Sequence, residues 1–452
     1  MKVGIAARTA RPEVRDRETG SGDWSLRAGY GLGFLTLISA FNYLDRSLLG
    51  LALPAIKAEM HLTDTALGLV SGIAFLLFYS LLGVPIAWLS DHGNRRNIIA
   101  AGFVFWSLMT MLTGWVANLW QLVLVRFLMG AGEACSLAPS NSVISDLFRK
   151  ERRPLALSLF GTASSIAFML FFPALGIVGD AHGWRRMFVI AGLPGILLAP
   201  VFVLTVREPA RTSVPPSAKP GEPKGILAAV RILLSSRAYL YLLLASTLMG
   251  MNVFAASTWT PTFLQRVHHL TMGEVASVVG VIKGGCGLAG VLVGGIAIDR
   301  LISRSPRWRW MIPGLSCLAL VPVELTFLLA NAPPIWLFAF AASSFLTLVH
   351  QGPLFALVME VAASRMRAVA IAVLVLCSGL FGQAIGPLAV GMLDDRLAPT
   401  FGGGAIRYSL LILVVTAALA GAAILMAGRQ LGGLRQRSSE IAEGSGGAVP
   451  RQ

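Results

Sequence analysis

The chain has 452 residues, of which 55% are hydrophobic and only 13% are charged, and its mean hydropathy is +0.72. A soluble protein would carry about a quarter of its residues as Asp, Glu, Lys and Arg, so this composition excludes a soluble globular protein. Apolar stretches of ~20 residues, the length that crosses a ~30 Å hydrocarbon core, recur along the whole chain. The sequence therefore predicts a polytopic α-helical membrane protein.

The apolar stretches divide into twelve predicted membrane spans. Residues 1–28 are polar and basic, so no signal peptide is predicted and the first span is expected to remain as an anchor. The approximate bounds of the spans are 29–53, 65–90, 97–117, 120–147, 155–179, 187–206, 239–264, 273–298, 310–330, 333–361, 366–393 and 406–428.

The composition breaks once, at the segment REPARTSVPPSAKPGEPKG, where Pro and charged residues are concentrated. Such a segment is typical of a non-helical linker, and a short surface helix is possible between it and span 7. Six predicted spans precede the linker and six follow it. The predicted units are an N-terminal tail at 1–28, a six-helix bundle at 29–206, a linker at 207–238, a second bundle at 239–428 and a C-terminal tail at 429–452.

The net charge of +15 is distributed unevenly. Of the 37 Lys and Arg residues, 28 lie in the tails, the linker and the loops on the side of the N-terminus, six lie in the opposite loops, and three lie within spans. This asymmetry is the positive-inside pattern, which predicts that both termini are cytoplasmic. The basic balance thus indicates topology and not a nucleic-acid partner.

The two halves are similar at one point, because Asp91 and Asp299 each lie at the end of the second span of its half. Parallel six-span repeats suggest an alternating-access transporter, although a fused channel or a scaffold can also arise by duplication. The sequence contains no GxxxxGK[ST] phosphate-binding loop, and its GxGxxG match at 285–290 lies in a predicted membrane helix rather than after a strand. Uphill transport would then draw on an ion gradient or on a partner chain.

The four cysteines fall singly within predicted spans, without the spacing of metal ligands. We interpret them as small apolar packing residues, and we predict neither a metal nor an organic cofactor. They are Cys135, Cys286, Cys317 and Cys377.

Two opposite charges, Asp45 and Arg46, are adjacent inside the first span, in the segment FNYLDRSLLG. At 1.5 Å per helical residue, Asp45 lies ~24 Å and Arg126 of span 4 lies ~21 Å from the cytoplasmic face. These two side chains are therefore predicted at similar depth and can pair. Glu133 lies two turns further along the same face of span 4.

Charged groups inside a membrane are costly and almost always face a cavity or one another. An arginine that moved from one carboxylate to another would change the proton affinity of both. The sequence thus favours proton coupling through Asp45, Glu133 and Arg126. The structural alternative is a fixed salt bridge that ties span 1 to span 4, and Arg46 can equally contact an anionic substrate.

The second half carries fewer polar groups within its spans. Lys283 in span 8 either meets an anionic head group or pairs internally with Glu324 of span 9, which is a weaker candidate. His350 in span 10 is either satisfied locally or functional. The tentative substrate-binding set is Arg46, Glu133, Lys283, His350, Trp259 and Asn252.

Several segments resemble the major facilitator superfamily and, within it, the spinster-like transporters. The first span and its loop match in NYLDRSLLGLALPAIKAEMHLTDTALGLVSG, the loop after span 2 in SDHGNRRN, and span 4 in VRFLMGAGEACSLAPSNSVISDLF. REP closes the first half, and GQAIGPLAVG in span 11 is similar to the Gly-Pro motif that bends gate helices. In the loop motif Ala87 replaces the usual leading Gly and Asn94 the second, and the Asn is typical of spinster-like members.

The resemblance implies an all-α membrane protein with twelve transmembrane helices in two six-helix bundles around a central cavity, the major facilitator fold. It implies that Asp45 and Glu133 match the proton-coupling acids, with Arg46 and Arg126 as their basic partners and protons as the coupling ion. A bacterial member would be a multi-pass protein of the inner membrane. The implied cytoplasmic gate consists of Asp91, Arg95 and Arg96, with Asp299 and Arg300 as a weaker copy.

Characterised relatives carry lysophospholipids or sphingoid lipids, so the resemblance implies an amphipathic lipid substrate, membrane lipids as neighbours and a functional monomer. Aromatic and apolar residues in spans 7 and 10 also favour an amphipathic substrate. The alternative is a proton-coupled symporter or exporter of small organic anions or drugs, because related anion symporters begin with a similar NYLDR. A membrane enzyme or a sensor is a remote alternative, since the sequence has neither grouped catalytic residues nor a sizeable soluble domain.

Overall fold

The computed structural model describes residues 25–211, 226–363 and 366–445. Within these ranges the chain forms helices joined by turns, and no strand occurs. Nine helical segments of the described chain are long and apolar enough to cross a membrane. Two of them, Arg153–Thr205 and Val369–Leu431, have 53 and 63 residues. At 1.5 Å per residue each is more than twice as long as one crossing requires, so each contains two spans.

The predicted twelve-helix, all-α architecture is confirmed, with the charged helix Leu26–Met60 as the first span. Spans 5 and 6 meet at Gly183, whose φ of 80° is a conformation that glycine adopts readily. Several helices extend beyond their predicted apolar cores. The spans are 1, Leu26–Met60; 2, Asp64–His92; 3, Arg95–Thr113; 4, Leu119–Leu147; 5 and 6, Arg153–Thr205; 7, Arg237–Val267; 8, Met272–Ile302; 9, Trp308–Leu329; 10, Pro333–Val361; 11, Arg367–Phe401; and 12, Leu411–Ser445. A further helix, Ile226–Ser235, precedes span 7.

Several spans depart from a regular α-helix along their length. Span 4 is interrupted directly after Glu133, and span 10 is interrupted at His350. Spans 2, 5 and 8 each contain one π-helical turn, and Lys283 lies in the last of these. Such irregular turns are frequent at functional sites because they redirect side chains and free backbone groups.

The two bundles contact each other at the end of the molecule that lies opposite Ser25. We call this end the distal end, and the end that contains Ser25 the proximal end. Span 7 donates two hydrogen bonds to backbone carbonyls of span 1 there, from Thr262 Oγ1 to Gly50 (3.4 Å) and from Gln265 Nε2 to Leu51 (2.8 Å). Among the described residues, the hydrogen bonds and ion pairs that link the bundles lie at this end. The distal end is therefore closed.

Buried apolar side chains form two clusters. The larger cluster fills the first bundle and continues through Trp259 and Phe263 of span 7 into the second bundle. The smaller cluster, which includes Tyr239 and Leu354, stays within the second bundle. The continuous packing through span 7 supports the closed distal end.

Candidate functional site: a charged layer in the first bundle

The side chains of Arg46 and Glu133 form an ion pair between spans 1 and 4. Arg46 Nε donates a hydrogen bond of 2.6 Å to Glu133 Oε2. The Glu133 side chain is fully buried, whereas the Arg46 side chain retains 24% exposure. The guanidinium therefore shields the carboxylate and itself presents the accessible surface of the pair.

Aromatic rings of span 2 hold the two arginines of this layer. The guanidinium carbon of Arg46 lies 4.8 Å from the ring centroids of both Phe75 and Tyr79, and that of Arg126 lies 5.4 Å from the Phe75 centroid. These distances are within the range of cation–π attraction. Phe75 thus separates the two like charges while attracting both.

Asp45 and Arg126 do not form the ion pair that their predicted depths allow, since no nitrogen–oxygen distance between them falls within 4.0 Å. Both side chains are 2% exposed. Arg126 Nη1 instead contacts Met129 Sδ at 3.2 Å. The side chains of Trp106 and Thr110 from span 3 lie beside the Asp45 carboxyl group.

Buried polar atoms that have no hydrogen-bond partner among the described residues are concentrated in this layer. Asp45 Oδ1, Glu133 Oε1 and Arg126 Nε are among them, although each belongs to a charged or polar side chain that normally bonds fully. The others in the layer are Asn42 Nδ2 and Trp106 Nε1. The layer therefore has spare capacity to bind protons, water or a polar ligand, and its pairing can change without breaking many bonds.

Two residues of the tentative substrate-binding set, Asn252 and Trp259, make hydrogen bonds within the second bundle. Asn252 Nδ2 donates to Glu324 Oε1 (3.1 Å) and to the Leu413 carbonyl (2.9 Å), and Trp259 Nε1 donates to the Pro387 carbonyl (2.9 Å). All of these groups lie between helices of the second bundle. Asn252 and Trp259 thus bond to neighbouring helices in this conformation, and their role in substrate binding stays a prediction.

The suggested internal pair between Lys283 and Glu324 does not form, because Glu324 is bonded to the amide of Asn252. Lys283 Nζ instead lies 5.7 Å from the ring centroid of Phe168 in span 5, in the other bundle. His350 is buried at the break of span 10, and its Nδ1 has no hydrogen-bond partner. Lys283 therefore remains a candidate for contact with an anionic group, while His350 is closed off from the charged layer.

The residues of the implied proximal gate lie within the first half. Arg95 is buried, and donates to Asp146 Oδ2 (2.5 Å) and to Glu208 Oε1 (2.7 Å) of the REP segment. The backbone N–H of Arg96 donates to the other oxygen of Glu208 (2.8 Å). Asp91 is exposed. The arginines of the motif thus fasten the loop after span 2 to span 4 and to the end of span 6.

The second copy of the gate motif is less informative. Arg300 is exposed at the end of span 8. Asp299 lies in the same helix, but its side chain is outside the part of the chain that the structure describes.

A cluster of charges at the distal end was missed by the sequence analysis. Arg266 of span 7 bonds to Asp64 Oδ1 of span 2 (2.7 Å) and to Asp394 Oδ2 of span 11 (2.9 Å). Lys57 also pairs with Asp64. Asp64 and Asp394 are nearly fully buried, so the cluster is a built ionic contact across the bundles. The acidic pair DD at 394–395 is the only sequence signal, and it does not reveal its partners.

The described residues contain no group of three or more His, Cys, Asp or Glu side chains that could hold a metal ion. The four cysteines are free thiols of the spans, and Cys135 lies in the turn that interrupts span 4.

Comparison with known proteins agrees with this architecture. Residues 35–387 match the family model of the Major Facilitator Superfamily. An MFS-type efflux pump of Mycolicibacterium smegmatis is 31% identical over 397 residues, which cover 88% of this chain and 91% of that protein. Protein spinster homolog 1 of Homo sapiens is 27% identical over 444 residues, which cover 92% of this chain and 84% of that protein.

A solved structure has the same fold over nearly the whole chain. The crystal structure of a bacterial homolog to the human lysosomal transporter Spinster, in an inward-facing and unoccupied conformation, has a TM-score of 0.78 and is 26% identical. The match covers 90% of this chain and 98% of that one. These relatives are transporters, so the enzyme alternative is dropped. The chain belongs to the Major Facilitator Superfamily and is a spinster-like transporter.

Proposed function

We propose that the protein is a proton-coupled secondary transporter that works by alternating access and moves an amphipathic lipid, such as a lysophospholipid or a sphingoid lipid. It acts as a monomer in a bacterial inner membrane, uses protons as its coupling ion and needs no cofactor. Its proximal end and both termini face the cytoplasm. The excess of Lys and Arg on that side, 28 of 37, supports this orientation.

The closed distal end supports an inward-facing state. The ionic cluster of Arg266, Asp64 and Asp394 joins the bundles on the side assigned to the periplasm. The proximal arginines Arg95 and Arg96 bond within the first half and leave the bundles free to separate there. The inward-facing conformation given for the solved spinster homolog is in keeping with this assignment.

The observation that carries proton coupling is the unequal pairing of the charged layer. Glu133 is paired with Arg46, while Asp45 and Arg126 lie in the same buried layer and have no ionic partner among the described residues. A buried carboxylate without a counterion is costly when charged, and binding of a proton removes that cost. We therefore place the coupling proton on Asp45 in this state.

A change of partner provides the coupling. Arg126 is within electrostatic reach of both Asp45 and Glu133, and Arg46 follows Asp45 directly on span 1. When an arginine moves to Asp45, the carboxylate is stabilised and its proton leaves. Glu133, having lost Arg46, is then the carboxyl group that favours protonation.

The exposed part of the layer supports an amphipathic substrate with an anionic head group. Arg46 offers its accessible guanidinium beside the rings of Phe75 and Tyr79, so one wall combines a cation with apolar surface. Lys283 adds a second cation from the other bundle, against Phe168. The spinster-like assignment supplies the expectation that this substrate is a lysolipid.

The test is transport in proteoliposomes with an imposed pH gradient, using a labelled lysophospholipid against a panel of small organic anions. We expect gradient-dependent lysolipid movement, which is lost in Asp45→Asn and in Glu133→Gln. Glu324→Gln is the matched control, because Glu324 is an equally buried carboxyl group whose amide partner can bond to Gln as well. If the wild-type protein transports the lysolipid equally with and without the pH gradient, proton coupling is refuted.

A second candidate function is export or symport of small organic anions or drugs. The two cations Arg46 and Lys283, which are not fully buried, favour it, since two basic groups suit a compact anion. The efflux pump among the relatives is consistent with it. Gradient-driven movement of an anion without any lysolipid signal would favour this candidate and leave the proton mechanism in place.

A further inference from the structure

A carboxylate of the second bundle binds the start of span 2 in the first. Asp395, near the distal end of span 11, accepts hydrogen bonds from the backbone N–H groups of Asp64 (2.9 Å, to Oδ1) and Thr65 (2.8 Å, to Oδ2). Span 2 begins at Asp64, after Thr63 as its N-cap. The first N–H groups of a helix have no partner within the helix, so this one carboxylate satisfies two of them across the bundle interface.

A carboxylate of the first bundle makes the corresponding contact with span 8 in the second. Asp180, near the distal end of span 5, accepts hydrogen bonds through Oδ2 from Thr271 Oγ1 (2.7 Å) and from the backbone N–H of Gly273 (2.8 Å). Span 8 begins at Met272, after Thr271 as its N-cap. Each bundle thus holds the N-terminal turn of one helix of the other bundle.

The two contacts are equivalent positions of the internal repeat. The sequence separation between Thr65 and Gly273 equals that between Asp91 and Asp299, which lie at the proximal ends of spans 2 and 8. Asp180 and Asp395 each follow a glycine by four residues, in the fifth span of their respective halves. The contacts are therefore two copies of one device and not a coincidence of loop packing.

The glycines one turn before the carboxylates allow the approach. A Cβ atom at Gly176 would lie 2.9 Å from the Met272 carbonyl oxygen and would also collide with Ala276, and one at Gly391 would collide with the Asp64 carbonyl. Only glycine lets the helix backbones come close enough for an Asp side chain, which has a single methylene group, to reach the opposite helix start. The Gly-x-x-x-Asp pattern thus combines close approach with capping.

The two copies are not equally strong. Asp395 directly follows Asp394 of the ionic cluster, and both of its bonds are half-buried, whereas one of the two bonds to Asp180, from Thr271, is exposed to solvent. Water competes with an exposed hydrogen bond more than with a buried one. The contact through Asp395 therefore contributes more to closure than the contact through Asp180.

We propose that Asp180 and Asp395 are a symmetry-related pair of gate residues that set the stability of the distal-closed state. Both contacts must break when the bundles separate at this end, so each stabilises one end state of the cycle and not the other. The inference rests on the alternating-access part of the proposed function. It adds two positioning residues that neither the charged layer nor the proximal motif includes.

The test measures the distance between the distal ends of the two bundles. Ala117→Cys in the first bundle and Ala332→Cys in the second place spin labels at exposed distal positions, after the four native cysteines are replaced by Ala. Pulsed electron paramagnetic resonance in liposomes then gives the populations of closed and open distal ends. The variants are Asp395→Ala, Asp180→Ala, the double variant, and Asp→Asn at each position, which keeps one acceptor oxygen but removes the charge.

We expect Asp395→Ala to raise the ratio of open to closed molecules by about tenfold, the effect of losing a charge-assisted hydrogen-bond pair. Asp180→Ala should raise it by ~3-fold and the double variant by about the product, because the sites are independent. The Asn variants should fall between wild type and Ala. Glu274→Gln is the matched control: among the described residues, the Glu274 carboxyl group accepts a hydrogen bond from the backbone N–H of Thr271 at the start of its own helix and none from the first bundle, so the distances should stay unchanged.

Two outcomes would overturn the inference. If the wild-type protein exchanges between two distal distances and the Ala and Asn variants keep its populations, the gate assignment is wrong and alternating access stands. If the wild-type protein and every variant show the same single distal distance, with or without substrate and a pH gradient, both the gate assignment and alternating access are wrong.

Discussion

The sharpest prediction concerns Glu133→Gln, which removes one charge from the only ion pair of the charged layer among the described residues. Two unit charges ~4 Å apart attract by about 4 kcal/mol at an effective dielectric constant of ~20, so Arg46 loses most of its preference for this partner. The guanidinium keeps the rings of Phe75 and Tyr79 at 4.8 Å, worth about 1 kcal/mol each, and its 24% exposure keeps it hydrated. We therefore expect folding to survive, with a loss of stability of about 1–2 kcal/mol.

The transport cycle should respond far more strongly than stability. A loss of about 3 kcal/mol in the preference of Arg46 for Glu133 corresponds to more than 100-fold in the pairing equilibrium. Net uptake or efflux driven by a pH gradient should fall by about that factor, because the change of partner no longer carries a proton. Exchange of labelled for unlabelled substrate without a pH gradient should persist, since it needs only reversible binding and reorientation.

The assay compares gradient-driven flux with gradient-free exchange in the same proteoliposomes. Glu324→Gln removes a buried carboxylate from the other bundle and should leave both fluxes close to the wild-type values. Normal gradient-driven flux in Glu133→Gln would refute the role of Glu133 in coupling. Loss of both fluxes, with a normal melting temperature, would contradict the separation of coupling from binding.

Four further predictions test other parts of the molecule. Arg95→Gln should lower the stability of the first bundle by about 3 kcal/mol, because it removes the buried cation that bonds to both Asp146 and Glu208, and thermal unfolding in detergent measures this; an unchanged melting temperature would contradict it. Arg266→Gln should open the distal end, which raises labelling of a distal cysteine by a membrane-impermeant reagent. Asp91→Ala should shift the population further toward molecules with a closed distal end. Increased labelling of the distal cysteine in this variant would contradict the role of Asp91 in the proximal gate. Glu59 lies beyond the predicted end of span 1, and hydrogen bonds from neighbouring side chains lower its pKa. Its contribution to the stability of the fold is therefore present above about pH 4.3 and is lost as the pH falls below that value. Glu59→Gln should make stability depend less on pH in the acid range.

Much of the architecture followed from local patterns in the sequence. Hydropathy placed twelve spans, and the concentration of Pro and charge after Val206 separated them into two sets of six. The scarcity of charge in the spans also marked Asp45, Arg126 and Glu133 as exceptional, and all three lie in one buried layer. These features need only composition, helical rise and the cost of placing charge in hydrocarbon, none of which depends on how the helices pack.

The partners within the layer could not be predicted in the same way. Depth alone matched Asp45 with Arg126, whereas the structure pairs Glu133 with Arg46, 87 residues away in sequence. Depth fixes a position along one axis only, and the rotation of each helix is set by packing against its neighbours. The interruption of span 4 directly after Glu133 and the rings of Phe75 and Tyr79 decide where the Arg46 guanidinium lies.

The second bundle illustrates the same division. Asn252, Trp259 and Glu324 were selected as polar groups inside spans, and that part is correct. Their partners were not predicted: Asn252 bonds to Glu324 and Trp259 to the Pro387 carbonyl, away from the charged layer. A side chain on a helix faces a cavity or a neighbouring helix according to rotation, which a periodicity of 3.6 residues cannot resolve when all faces are apolar.

The sequence by itself thus determined that this chain has twelve spans with charges buried in the first six, because those properties are sums over local segments. Only the tertiary structure decided which carboxylate holds an arginine, and which aspartates bridge the bundles at the distal end. Asp180 and Asp395 lie near helix ends and have no distinctive sequence context beyond a preceding glycine. Their function arises because a backbone N–H group from the other bundle, at the start of a helix, lies within hydrogen-bonding distance.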